Sequence, residues 1–192
     1  MQAPIVHIHI PKAGGSTLEN LLERNFTSKG VFLAYRHNDG PVELFHASEK
    51  RRTTRAVSGH FHVGRALACL PQGSRLFTML RHPFKRAISN YFMYAQHANH
   101  PLGIRVQNEG ITLGQFMDPA HGFGMDNVQT KYLAGVDPHL PCTPEHLETA
   151  KKVLTRALAT FGILERFKES VFLFGRRLEL RDLTYTHVGK SP

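Results

Sequence analysis

Cysteine is scarce, acid is in deficit, and no long apolar stretch occurs. Cys69 and Cys142 stand far apart among 192 residues, which excludes a disulfide framework and suits no zinc-knuckle spacing. No run approaches the ~18 consecutive apolar residues of a membrane-spanning helix. The first strand-like run begins at Ala3, leaving no room for the charged and apolar regions of a secretory signal. These absences predict a soluble, cytoplasmic protein with no membrane span. Internal repeats, low-complexity tracts and long linkers are also missing, so residues 1–192 are expected to form a single domain. Zinc-finger, RRM and clear helix-turn-helix patterns do not occur, so no nucleic-acid partner is expected.

Acidic residues number 15 against 24 lysines and arginines, a net charge of +9. That balance implies an anionic partner, although nucleic acid, anionic lipid, a nucleotide and a polyanionic sugar all satisfy it. Hydrophobic residues at 41% are enough for a packed core. Thirteen histidines raise the question of metal or acid–base chemistry.

Pro4 to Ile10 is a short β-branched run closed by Pro11, which reads as a buried strand. From Ser16 to Phe26 the residues Leu18, Leu21, Leu22 and Phe26 share one helical face, and Ser16 with Glu19 reads as a capping box. Ala56–Ser58, Arg75–Leu80 and Phe161–Leu164 are further strand candidates. Helices are predicted from Pro83 to about Gln96, from Thr143 to about Ala159, and from Phe167 to Leu178. Strands alternating with helices predict an α/β fold: three layers, a mainly parallel β-sheet flanked by helices. Ligands in such sheets bind at the carboxyl ends of the strands.

His9 to Thr17 (HIPKAGGST) joins the first strand to the first helix. Gly14 and Gly15 allow close backbone approach, the helix start offers unpaired N–H groups, Lys12 adds a cation, and Ser16 and Thr17 add hydroxyls. The segment is a P-loop-like phosphate cradle; an ordinary strand-to-helix turn with a surface lysine is the plainer alternative. It is not a Walker loop, because lysine precedes the glycines and no magnesium-binding acid follows a strand. A second basic segment, Leu80 to Phe92 (LRHPFKRAISNYF), puts Arg81 at a strand end and Ser89 on the next helix. Those two side chains are expected to meet one phosphate. The Phe84, Ile88, Tyr91, Phe92 stripe reads as core, and Lys50, Arg51, Arg52 and Arg55 as a solvated basic face.

Together these two segments resemble the sulfotransferase superfamily, in particular the branch of heparan sulfate 2-O-sulfotransferases and related bacterial proteins. Asp126 to Gly135 and Phe161 to Phe167 are similar to further segments of that branch. The resemblance implies a donor, 3′-phosphoadenosine 5′-phosphosulfate (PAPS), with 3′-phosphoadenosine 5′-phosphate (PAP) as product and no metal required. It places the 5′-phosphosulfate on Lys12, Ala13, Gly14, Gly15, Ser16 and Thr17, and the 3′-phosphate on Arg81 and Ser89, with Lys190 and Ser191 closing over the nucleotide. The acceptor it implies is a hydroxyl compound, by preference a carbohydrate, held by loops such as Tyr35–Asp39 and His97–Arg105. Three departures stand out: Ala13 replaces a small hydroxyl residue, Gly189 replaces a common asparagine, and the chain stops at Pro192 where relatives often continue. A truncated C-terminus is one expectation from that stop.

Sulfonate transfer needs a cation on the leaving phosphate, a role for Lys12, and a base for the acceptor hydroxyl. His60, in Ser58-Gly59-His60-Phe61-His62, is the leading base by resemblance to the catalytic histidine of related enzymes, with an ordinary pKa suited to the task. His62 and Glu19 are the other candidates. His7-x-His9 and His60-x-His62 have a metal-like spacing but no carboxylate companion close in sequence, so no metal site is expected. Two other readings stay open: a nucleotide- or polyanion-binding module without catalysis, and a different metal-free nucleotide-dependent transferase.

Overall fold

The computed structural model describes residues 3–35, 42–45, 52–97, 99–137 and 139–186. Among them five strands, β1 (Ile5–Ile8), β2 (Val31–Leu33), β3 (Ala56–Gly59), β4 (Arg75–Leu80) and β5 (Thr160–Ile163), form one sheet in the order β2-β3-β1-β4-β5. Every pairing is parallel, with Ile5 level with Ala56 on one side and Arg75 on the other. β1, β2 and β3 are buried along their whole length. That is why they read as mostly apolar runs, broken only by the buried His7 of β1 and Ser58 of β3, and not as alternating ones.

Alternate residues of β1 serve opposite layers. Ile5 packs with Leu18, Leu21 and Leu22 of α1 (Gly15–Phe26) and with Phe174 and Leu178 of α8 (Phe167–Leu178). Val6 and Ile8 pack with Val63 and Ala66 of α2 (Val63–Cys69), Leu133 of α6 (Val128–Ala134) and Ala150 of α7 (Pro144–Lys152). Helices therefore cover both faces, and the expected three-layer α/β architecture is the one observed. α3 (Pro83–Gln96), α4 (Pro101–Asn108) and α5 (Leu113–Met117) gather a smaller cluster around Phe116 and Phe123.

Three sequence expectations change. Ser16 and Glu19 make no capping box: α1 is capped by Gly14, two residues earlier, without a side-chain bond. Glu19 then falls on the buried face, at 2% exposure. The Phe84–Phe92 stripe is not core, since Phe84 and Phe92 are exposed while α3 buries Arg86, Ala87, Ser89 and Asn90. The inward face of α3 looks onto the ligand end of the sheet, where polar groups are wanted. Finally, the helix opened at Thr143 has a capping box, with His146 in the third position, but loses α-helical pairing after Lys152 and finishes in a π-turn from Val153 to Ala157. Among the described residues no helix is long and apolar enough to cross a membrane.

Candidate active site

The carboxyl ends of β1, β3 and β4 carry the groups that the sequence singled out. Between β1 and α1 the backbone turns through two left-handed residues, Lys12 at φ 66° and Gly14 at φ 81°. A Cβ on Gly14 would come within 2.7 Å of Leu164 Cδ1, so the cradle admits only glycine there. Ala13, Gly15 and Thr17 are buried and Ser16 is exposed. The first N–H groups of α1 have no partner inside the helix, and its positive dipole end faces the loop.

Two cations converge on this loop. Arg81 Nη1 donates to the Lys12 carbonyl at 3.1 Å, and the Arg81 backbone exchanges two bonds of 2.8 Å with the Gln129 side chain. Burial, helped by the Arg81 charge, lowers the Lys12 amine below its ordinary pKa. An anion at the loop relieves that repulsion. Glycine where a side chain would clash, two adjacent cations and open N–H groups fit a phosphate-bearing group. Ser89 is buried on α3 at 4% exposure; Lys190, and with it Gly189 and Ser191, lies outside the described residues.

His60 follows β3 beside this cradle. Its Nδ1–H donates to the His9 carbonyl at 2.7 Å. The ring is packed against His9 (4.4 Å between centroids) and stacked on Tyr35 (4.7 Å). A carbonyl only accepts, so this bond fixes the tautomer and leaves the Nε2 lone pair to act as a base. His60 keeps one edge open to solvent, but desolvation by the groups packed around the ring, then the neighbouring His9, pushes its pKa down to about 4.

The sulfotransferase family model matches residues 2–135. The chain belongs to the sulfotransferase family. Mouse sulfotransferase SULT7A1, solved in complex with PAP, shares its fold with a TM-score of 0.55 at 15% identity. That superposition covers 95% of this chain and 60% of the mouse chain, so the present sequence spans about three-fifths of that relative. Among curated proteins none matches by sequence.

Behind the loop this family member buries a polar network that the sequence reading left in pieces. His9 Nδ1–H donates to Glu19 Oε1 at 2.9 Å, Ser58 Oγ–H donates to the same oxygen at 2.8 Å, and the Tyr35 hydroxyl also donates to it. His7 Nδ1–H completes the chain by donating to Ser58 Oγ at 2.9 Å. Burial raises the Glu19 pKa, but the bonds from His9 and Tyr35 outweigh it and hold the carboxyl down at about 2. Glu19 is therefore a buried anion that orients others. Its Oε1 already accepts three donors.

The carboxylate companion that the His7-x-His9 pair lacked in sequence is Glu19, supplied by α1. His7, His9 and Glu19 bring donor atoms within 4.8 Å of one another. His62 caps α2 and sets its ring edge-on to Tyr132, 5.1 Å between centroids. Burial lowers its pKa as well. Ser58 and Gln129 were missed as site residues, since a lone serine or glutamine carries no spacing signal; Tyr35, expected in an acceptor loop, bonds Glu19.

Proposed function

We propose that this sulfotransferase-family chain uses PAPS to transfer a sulfonate group to an acceptor hydroxyl. We place it in the heparan sulfate 2-O-sulfotransferase-like branch, as a bacterial-type member, with a carbohydrate acceptor. The observation that carries the reading is one corner of the sheet holding the Lys12–Arg81 cation pair and a histidine with a free Nε2. The PAP bound to the mouse relative supports the donor class.

PAPS, when bound, supplies the sulfonate on a phosphate leaving group. Lys12, Ala13, Gly14, Gly15, Ser16 and Thr17 take its 5′-phosphate through backbone N–H groups and hydroxyls, and Arg81 with Ser89 takes the 3′-phosphate. Lys190 closes over the nucleotide. Lys12 neutralises charge growing on the departing oxygen. His60 Nε2 accepts the acceptor's hydroxyl proton as the new O–S bond forms. A sulfonyl group carries less charge than a phosphoryl group, so these cations suffice and no metal is required.

Calorimetric titration with PAP, using ATP and ADP as controls, tests the donor site. Arg81→Ala and Lys12→Ala are expected to weaken PAP by about 10- to 100-fold, as loss of charge-assisted bonds does. His60→Ala is expected to keep PAP affinity while losing about 10²–10⁴-fold in turnover. Indifference of folded protein to PAP would overturn the reading. PAP binding with no transfer to a broad hydroxyl panel would convert it to a nucleotide-binding module, and magnesium-dependent ATP turnover to another transferase.

A further inference from the structure

A cavity of about 170 Å³ opens between α3 and α6, lined by Pro11, Arg86, Asn90, Tyr94, Lys131 and Tyr132 among others. Neither Arg81 nor Ser89 lines it. Its volume corresponds to about five or six water molecules in bulk, enough for one small charged group with a few carbons. It adjoins both halves of the site described above: Pro11 precedes Lys12, and Tyr132 touches the His62 ring.

Arg86, Asn90 and Tyr94 stand one turn apart on α3 and so share a face. Arg86 is 3% exposed and Asn90 2%. The guanidinium spends Nη2 on the Met125 carbonyl at 3.3 Å, while Nη1 has no partner among the described residues. Asn90 donates from Nδ2 to Met125 Sδ, a weak acceptor, and among the described residues its Oδ1 has no partner either. Lys131 differs: its ammonium is compensated by Asp126 at 2.6 Å. No carboxylate pairs with Arg86 among the described residues. A buried cation without a counter-charge costs several kcal/mol in proteins, and desolvation drags the Arg86 pKa down to about 10. Next to it sits an acceptor oxygen that wants a donor.

We propose that this cavity is an acceptor subsite that receives a carboxylate on Arg86 and a neighbouring hydroxyl on Asn90. The ligand class is a hydroxy-carboxylate portion of the acceptor, seated beside the phosphate loop. The acceptor assignment rests on the sulfotransferase reading; the anion pocket itself does not.

Glycolate, which carries both groups, and its neutral isostere glycolamide are the probes, titrated into the full chain with and without saturating PAP. Glycolate is expected to bind in both conditions, and glycolamide at least roughly tenfold more weakly. Asn90→Asp places a carboxylate beside Arg86, so it should fold, abolish glycolate binding, and leave PAP affinity within about twofold. Arg86→Met should also lose glycolate. No glycolate binding by folded protein up to roughly 50 mM, equal binding of glycolamide, or displacement of glycolate by PAP would each overturn the proposal. Failure of PAP to bind would remove the acceptor assignment together with the sulfotransferase reading, while the glycolate arm still decides whether the anion pocket exists.

Discussion

His60 holds its proton on Nδ1 because the group that nitrogen meets is the His9 carbonyl oxygen, which can only accept. Packing between His9 and Tyr35 then makes a second proton on Nε2 expensive, which is why the pKa falls to about 4. The neutral ring is thus fully populated at neutral pH, though its low basicity limits its pull on a proton. A base works only when unprotonated, so activity should be lost as pH falls through the folded pKa. The acid limb of kcat/KM is expected near pH 4, well below the ordinary 6.5 of histidine. A pH–rate profile checks this, and an acid limb at the ordinary value would take His60 out of the role. The sequence pointed to His60 through a glycine–histidine segment, but a segment carries no record of which ring nitrogen is free.

At the scale of elements, the start of α1 is set by backbone freedom and not by a side-chain cap. Ser16 and Glu19 have the right spacing for a box, yet the Gly14-Gly15 pair lets the helix begin earlier, and Glu19 rotates inward. Gly15 also makes room for a ring: a Cβ there would lie 1.9 Å from His9 Nε2. Gly15→Ala must therefore push the His9 ring off its seat against Glu19. Overpacking of this kind costs about 1–3 kcal/mol. The expected outcome is a lower melting temperature in calorimetry together with weaker PAP binding; an unchanged melting temperature would mean that His9 has an alternative seat. Long elements such as β4, α3 and α8 were legible from periodicity and from proline at a helix start. Three-residue β2 and the Gly64-containing α2 were not, because too few residues repeat to establish a period.

For the whole molecule, the buried network ties β1, β3, α1 and the residues after β2 to one carboxylate, and its protonation should govern acid unfolding. His7 is pushed from an ordinary 6.5 to about 3, first by burial and then by His9. Between those values the unfolded chain binds a proton that the folded one refuses, so stability falls as pH drops below 6.5. Glu19, lowered from 4.5 to about 2, adds a loss that sets in as pH falls below 4.5. Each group contributes about 1.4 kcal/mol per pH unit within its window. Urea unfolding at pH 7 and pH 4.5 should show a marked loss of stability. In His7→Asn, which keeps a donor for Ser58 but does not titrate, that loss should shrink by about 2–3 kcal/mol. An identical loss in the variant would show that His7 is not a source of the pH dependence.

The order of strand, glycine loop, helix and later strand–arginine–helix was determined by the sequence itself, because turns, caps and apolar periods are written within a few consecutive residues. The α/β class followed from that, and so did the proposal of two anion-binding segments. Tertiary structure alone decided what the buried polar groups do. His9 meets Glu19 across the loop between β1 and α1, His60 meets the His9 carbonyl across 51 residues of chain, and Arg86 is left beside a cavity with no carboxylate partner among the described residues. Those outcomes depend on the register of parallel strands and on which face of α1 and α3 turns inward, and both are set by the packing of the two helical layers against the sheet.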